Sequence, residues 1–104
     1  MIKPPSNHQA HHIVPWEFWD HPAVQKAAKS GNFHLNAKGN GLPIHNNYHN
    51  GSHYYYNREV ELRLNSINLS NNPNQVAEEI INIHTYLRNE ILSNPNTKIN
   101  DLFN

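Results

Sequence analysis

The feature that most constrains the fold is a helical stripe in the middle of the chain. Between residues 49 and 67, side chains suited to one face of a helix recur at steps of four, three, four, four and three: His49, His53, Tyr56, Val60, Leu64 and Ile67. These steps match the 3.6-residue turn of an α-helix. The stripe predicts one helix over about residues 48–67, capped by Asn46 or Asn47. Gly51 leaves open whether His49 lies in the first turn or just before it.

The remaining segments predict a small α+β domain around this helix. Residues 11–15 form a short β-prone run that ends at a proline, and a helix is predicted over 22–30. Residues 33–35 and 42–44 are predicted to pair as strands around a turn rich in glycine and asparagine. A last helix is predicted over 73–93, after an asparagine cap followed by proline.

The length of 104 residues suits a single domain with one core. Residues 1–10 contain two prolines and few apolar side chains, which predicts an irregular lead-in or linker stub before a domain over 11–104. The chain has no cysteine, so disulfides and thiolate metal sites are excluded, and any metal must bind through nitrogen or oxygen. No segment resembles a membrane span or a signal peptide, so we expect no membrane contact and export only as part of a larger protein.

The charges are balanced, with eight basic and eight acidic side chains. Net charge alone therefore does not indicate a polyanionic partner, although residues 1–58 are basic and residues 59–104 acidic. Histidine is the unusual residue, because eight of the nine precede residue 54. This clustering is the first indication of a functional site.

Two histidine pairs stand out within the cluster. His11 and His12 are adjacent in an extended segment, where neighbouring side chains point to opposite faces and can have different roles. His49 and His53 are four residues apart, a spacing that places two imidazoles on one side of a helix, as in zinc metalloproteases. With His11 they would supply three neutral nitrogens and leave positions open for water and substrate. His45 continues the spacing of four and could replace His49 if the helix began earlier.

Three segments together resemble a known family. They are Ala10-His11-His12-Ile13-Val14-Pro15, Asn40-Gly41-Leu42-Pro43, and His49-Asn50-Gly51-Ser52-His53 with Tyr56. This set resembles the HNH superfamily of nucleases, and in particular its AHH branch, found as toxin domains of bacterial polymorphic toxin systems. The spacing of the histidines and the asparagine is also similar to that of the DNase colicins.

The resemblance implies a ββα-metal (His-Me finger) core over about residues 11–66, with an added N-terminal helix and a C-terminal helix. In such a core a hairpin and a helix hold one divalent ion. Carried over to this sequence, the resemblance implies that His11, His49 and His53 bind the metal and that His12 is the general base. Asn40 would fix the hairpin turn and so orient His12. Because Leu42-Pro43 follows Asn40-Gly41 directly, Asn36 is the alternative for this role.

These roles are chemically consistent. An imidazole with an ordinary pKa of about 6.5 can take a proton from water as the water attacks phosphorus. Imidazole ligands favour Zn²⁺, Ni²⁺, Co²⁺ or Mn²⁺ over Mg²⁺, although Mg²⁺ could still support activity. The expected products carry 5′-phosphate and 3′-hydroxyl ends. Candidate phosphate contacts are Lys38, Arg58 and Lys26.

The leading hypothesis is therefore a metal-dependent endonuclease that cleaves DNA rather than RNA, with little sequence specificity. The resemblance implies a toxin domain delivered within a larger secreted protein, active in the cytoplasm of a target cell and inhibited by a cognate immunity protein. A noncatalytic binding module stabilised by zinc is one alternative. A metal-dependent RNase toxin is another.

Overall fold

A computed structural model describes residues 8–49 and 53–103, with only the backbone described at residues 38 and 45–47. Its regular elements are β1 (His8–His12), α1 (Pro22–Ala28), β2 (Gly41–His45), α2 (Asn46–His49), α3 (Tyr54–Asn65) and α4 (Pro73–Ser93). Single 3₁₀ turns occur at Trp16–Phe18, Lys38–Asn40 and Ile99–Asp101. The mixed α+β class is thereby confirmed.

β1 and β2 form an antiparallel pair in which His11 lies opposite Leu42 and His12 opposite Gly41. The predicted pairing of residues 33–35 with 42–44 is wrong, because β2 pairs with β1 instead. Residues 33–35 have the alternating burial of a strand, but the Leu35 carbonyl oxygen accepts a hydrogen bond from the Asn40 side chain rather than from a neighbouring strand.

β1 also begins earlier than the sequence indicated. Residues 8–10, assigned above to an irregular lead-in, belong to the strand. Ile13 and Val14, expected within the strand, lie just beyond its end and are fully buried in the core. The strand is therefore shifted toward the N-terminus, because its limits are set by pairing with β2 rather than by local apolar content.

Both α1 and α4 begin where the local signals in the sequence predicted, although α1 ends at Ala28, two residues before its predicted end. α1 begins at Pro22, and the side chain of the preceding His21 accepts a hydrogen bond from the Ala23 backbone N–H. α4 has the predicted limits, and its first turn is closed by reciprocal hydrogen bonds between Asn72 and Gln75. α1 packs against α4. Within the described ranges, no helix is long and apolar enough to cross a bilayer.

The predicted helix over 48–67 is wrong as a single element. α2 ends at His49, and His53 has a nonhelical backbone (φ −112°, ψ 22°) immediately before α3. Residues 50–52 lie outside the described residues. Tyr56, Val60 and Leu64 are the buried stripe of α3, as the periodicity predicted. The stripe thus identified the buried face of α3 but placed the start of the helix too early.

Candidate metal centre

Three of the predicted ligands converge although they lie in different parts of the fold. His11 comes from β1, His49 is the last residue of α2, and His53 precedes α3. One ring nitrogen from each can be chosen so that all three atoms lie within 4.8 Å of one another. The ring centroids of His49 and His53 are 4.8 Å apart, although the two residues do not share a helix as predicted.

Hydrogen bonds orient two of these rings. The Nε2–H group of His53 donates to the His49 carbonyl oxygen (2.7 Å), which leaves the lone pair on Nδ1. The Nδ1–H group of His49 donates to the Gln9 side-chain oxygen, which leaves the lone pair on Nε2. Metal-binding histidines characteristically donate their second ring nitrogen to such oxygens, which fixes the tautomer and the ring orientation.

His11 is the buried member of the cluster, with only 3% of its surface exposed. Its Nδ1 lies 3.3 Å from His49 Nε2. Two nitrogens bound to one tetrahedral zinc ion at about 2.0–2.1 Å would lie roughly 3.3 Å apart. Among the described residues, His11 Nε2 has no hydrogen-bond partner. The three imidazoles and the 3.3 Å distance between His11 Nδ1 and His49 Nε2 therefore fit a borderline divalent metal ion.

Burial makes His11 a poor base. Desolvation, followed by the neighbouring His49 and His53, lowers the pKa of His11 to about 3. Burial and His53 also lower the pKa of His49. Because a metal ligand must be unprotonated, these shifts suit ligands rather than proton carriers.

The packing around His11 holds it in place. The Tyr56 ring contacts the His11 ring edge-on, with centroids 4.9 Å apart. The Tyr56 hydroxyl donates to the Ile13 carbonyl oxygen (2.6 Å) and so ties α3 to the chain just after β1. Tyr56 is fully buried. Tyr56, which belongs to the motif segments quoted above, therefore supports the position of His11.

His12 lies beside the cluster and lines the same cleft as His11, His49 and His53. Its Nε2 is 3.3 Å from the Asn36 side-chain oxygen. With Nε2 as the donor in this contact, the lone pair is on Nδ1, where it can take a proton. The structure thus brings the predicted general base to the predicted ligands, while its role stays a prediction.

Asn40 is buried (1% exposed) and joins two loops. Its side chain accepts from the Val14 N–H (2.8 Å) and donates to the carbonyl oxygens of Val14 (3.0 Å) and Leu35 (2.8 Å). The side-chain contact with His12 comes from Asn36 instead. Asn40 therefore joins the chain after β1 to the segment before β2, whereas Asn36 contacts the imidazole of His12; the role of either residue in orienting His12 stays a prediction.

The candidate phosphate contacts differ in position. Arg58 is exposed beside a cleft that shares Glu17 and Asn57 with the histidine cleft. The Lys26 amine instead donates to the Leu69 carbonyl oxygen, which argues against a phosphate contact. The side chains of Lys38 and of the alternative ligand His45 lie outside the described residues.

The sequence interpretation missed Gln9 and Glu17. Gln9 precedes His11 by two residues, and residues two apart in a strand share a face, so alternation could have indicated it. Glu17 lines the histidine cleft, and its carboxylate accepts a hydrogen bond from the Asn57 side chain. The contact spans 40 residues. No local pattern reveals it.

Replacing Gln9 with alanine should weaken metal binding by about 10- to 100-fold, because His49 loses the acceptor that fixes its ring. Zinc affinity measured by competition with a chromogenic chelator tests this expectation. The matched control is Gln25→Ala, a glutamine on α1 that lies outside the histidine cleft. Equal affinities for the two variants would contradict the positioning role of Gln9.

Acid should destabilise the metal-free protein. The folded pKa of His11 is about 3, below its ordinary value of 6.5, so the unfolded chain binds more protons between these values. The contribution of neutral His11 to the free energy of unfolding is therefore complete above pH 6.5. It is lost as the pH falls toward 3, and the loss is at most a few kcal/mol. Urea unfolding in chelator across this range measures the loss. A His11→Gln variant should show a flatter profile; an unchanged profile would exclude His11 as the cause.

Comparison with known proteins adds a family-level match. A family model described as a nuclease family of the HNH/ENDO VII superfamily with conserved AHH matches residues 1–91. The matched region includes the consecutive residues Ala10, His11 and His12, all three of which line the cleft described above. The searches of curated proteins and of solved structures returned no match.

Proposed function

This chain belongs to the AHH nuclease family of the HNH/ENDO VII superfamily, and from this premise we propose that it is an endonuclease that hydrolyses DNA with little sequence specificity. The observation that carries the proposal is the convergence of three imidazoles beside a fourth. His11, His49 and His53 form the ligand set, and His12 lines the same cleft. Ligands and base thus face one space in which a phosphodiester could bind.

The chain's own residues would divide the chemistry. His12 accepts a proton from the attacking water at Nδ1, while Asn36 holds the opposite nitrogen and so fixes the ring. His11, His49 and His53 hold a divalent ion, with Gln9 orienting His49. When bound, such an ion supplies a Lewis acid that stabilises charge on the phosphate and on the departing oxygen.

The proposed core is the ββα-metal arrangement. In support, β1 of the antiparallel pair supplies His11 and His12, α2 ends at His49, and His53 directly precedes α3. The ligands are all imidazoles, so Zn²⁺, Ni²⁺, Co²⁺ or Mn²⁺ should bind more tightly than Mg²⁺. The ion that supports the fastest turnover is a separate property, which the assay below measures.

DNA is the proposed substrate, and attack by water is compatible with it because this mechanism requires no 2′-hydroxyl. His12 as the base and a metal-stabilised leaving oxygen would give 5′-phosphate and 3′-hydroxyl ends. Arg58, exposed beside the cleft, is the best-placed of the candidate phosphate contacts whose side chains are described. Contacts to phosphate alone would make binding sensitive to salt and indifferent to sequence.

For the biological role, we propose a toxin domain delivered within a larger protein and neutralised by an immunity protein. The support is the resemblance of the three motif segments to polymorphic toxin nucleases. Co-expression offers a direct test: the chain alone should arrest growth of a bacterial host, and the protein encoded by the neighbouring gene should restore it.

The activity is tested with purified protein, supercoiled plasmid and a panel of divalent metals. Nicking that stops on addition of chelator and resumes with excess metal supports the proposal, and end-labelling identifies the products. An RNA substrate run in parallel tests for an RNase. Failure to cleave either substrate with any metal, together with tight zinc binding, would favour a noncatalytic zinc module.

A further inference from the structure

An apolar slot lies beside the proposed catalytic cleft. It has a volume of about 180 Å³ and is lined by Trp16, Trp19, Val24, Ala28, Phe33 and Leu35, with Gln25 and His34 as its polar members. The tryptophans come from the 3₁₀ turn Trp16–Phe18 and the residue after it. They are 51% and 54% exposed. Two half-exposed indoles around one cavity form an exposed apolar patch, and such patches are typical of ligand-binding or interaction sites.

The slot is connected to the proposed general base in two ways. Trp16 lines both the slot and the histidine cleft, and its ring centroid is 6.4 Å from that of His12. On the other side, the His34 ring accepts a hydrogen bond from the Asn36 N–H (3.0 Å), and the Asn36 side chain contacts His12. A ligand in the slot would therefore lie next to a phosphate in the cleft.

The lining indicates the chemistry of the ligand. None of the residues that line the slot carries a carboxylate, an amine or a guanidinium, so the slot is not built for phosphate. Its aromatic surfaces favour a flat, uncharged ring, and Gln25 and His34 can form hydrogen bonds with polar atoms at the edge of that ring. A closed cavity of about 150 Å³ holds one benzene molecule, so this open slot suits a single base.

We propose that this slot binds one unpaired nucleobase of the substrate, on a nucleotide adjoining the scissile phosphate. This inference rests on the proposed nuclease function and narrows its substrate. A base in a duplex is stacked and paired, so it can enter only from a single strand or after leaving the helix. The enzyme should therefore prefer single-stranded or locally melted DNA, with no strong preference among bases because every base offers a π-face.

Intrinsic fluorescence tests the slot directly, because the chain has two tryptophans and both line it. The native protein in chelator is titrated with an oligothymidylate of about eight nucleotides, a length within the range that single-strand sites cover. We expect quenching by this strand. An abasic strand of equal length and charge should quench little, and the duplex should quench less than the single strand at equal phosphate concentration.

Variants separate base stacking from other effects. Trp19→Ala should weaken oligothymidylate binding by about tenfold or more, and Trp19→Phe should retain most of the affinity. The matched control is Leu62→Ala, a comparably exposed apolar residue on α3 that does not line the slot. Thermal melts confirm folding. If a tryptophan variant fails to fold, the comparison of normal and abasic strands on the native protein still decides the question.

The outcomes distinguish the two proposals. The nucleobase proposal is overturned if normal and abasic strands bind equally, or if duplex and single strand quench equally. Plasmid cleavage by the same protein would leave the nuclease proposal standing. Base-dependent quenching without cleavage under any metal would support binding of a nucleobase in the slot, but it would overturn the nuclease proposal and, with it, the place of that base beside a scissile phosphate. Absence of quenching by any of the strands would also overturn the nucleobase proposal.

Discussion

His12→Ala is expected to lower the rate of DNA cleavage by about a hundredfold to ten-thousandfold, the usual contribution of a positioned general base. The water nucleophile would then lose its proton acceptor, while the three other imidazoles stay in place. His12 is partly exposed, and its one described hydrogen bond is to Asn36, so folding should be little affected. Initial rates of plasmid nicking at saturating metal measure the loss.

The effect on chemistry can be separated from an effect on the metal. Zinc affinity and thermal stability of His12→Ala should match those of the native chain. His8→Ala is the matched control, since His8 is an imidazole of the same strand that does not line the cleft. A His12→Ala protein that cleaves at the native rate would remove His12 from the mechanism, and Glu17, the carboxylate in the cleft, would become the candidate to test.

His53→Ala should weaken zinc binding by more than about a hundredfold, beyond the 10- to 100-fold loss typical of residues that only support a ligand. His53 is preferable to His11 for this test because it is only partly buried, so truncation leaves a smaller cavity. Its side chain also provides no cap to α3. Isothermal titration with zinc measures the affinity, and the loss of cleavage should follow it.

Stability gives an independent measure of the same site. At a zinc concentration 100 times the dissociation constant, binding stabilises the native state by about 2.7 kcal/mol. Zinc should therefore raise the melting temperature of the native chain and have little effect on His53→Ala. If both proteins respond equally to zinc, the ion binds elsewhere and the assigned ligand set is wrong.

Local sequence signals predicted α4 in full. Asn72 and Gln75 close the first turn by hydrogen bonds between residues three apart, and Pro73 suits the first helical position. Such contacts are formed within one segment, so they are visible in the sequence whatever the rest of the chain does. The limits of β1 and α3 were not predictable in this way. They depend on which segment pairs with β2 and on the break at His53.

The identity of the candidate site followed from the sequence, because the types and spacing of His11, His12, His49 and His53 carry the chemistry. The geometry of the site did not follow from the sequence. Gln9 reaches His49 across 40 residues and Asn36 reaches His12 across 24, and contacts between residues so far apart in the chain form only in the folded protein. Local periodicity fixes which face of a segment is buried, whereas long-range packing decides which faces meet.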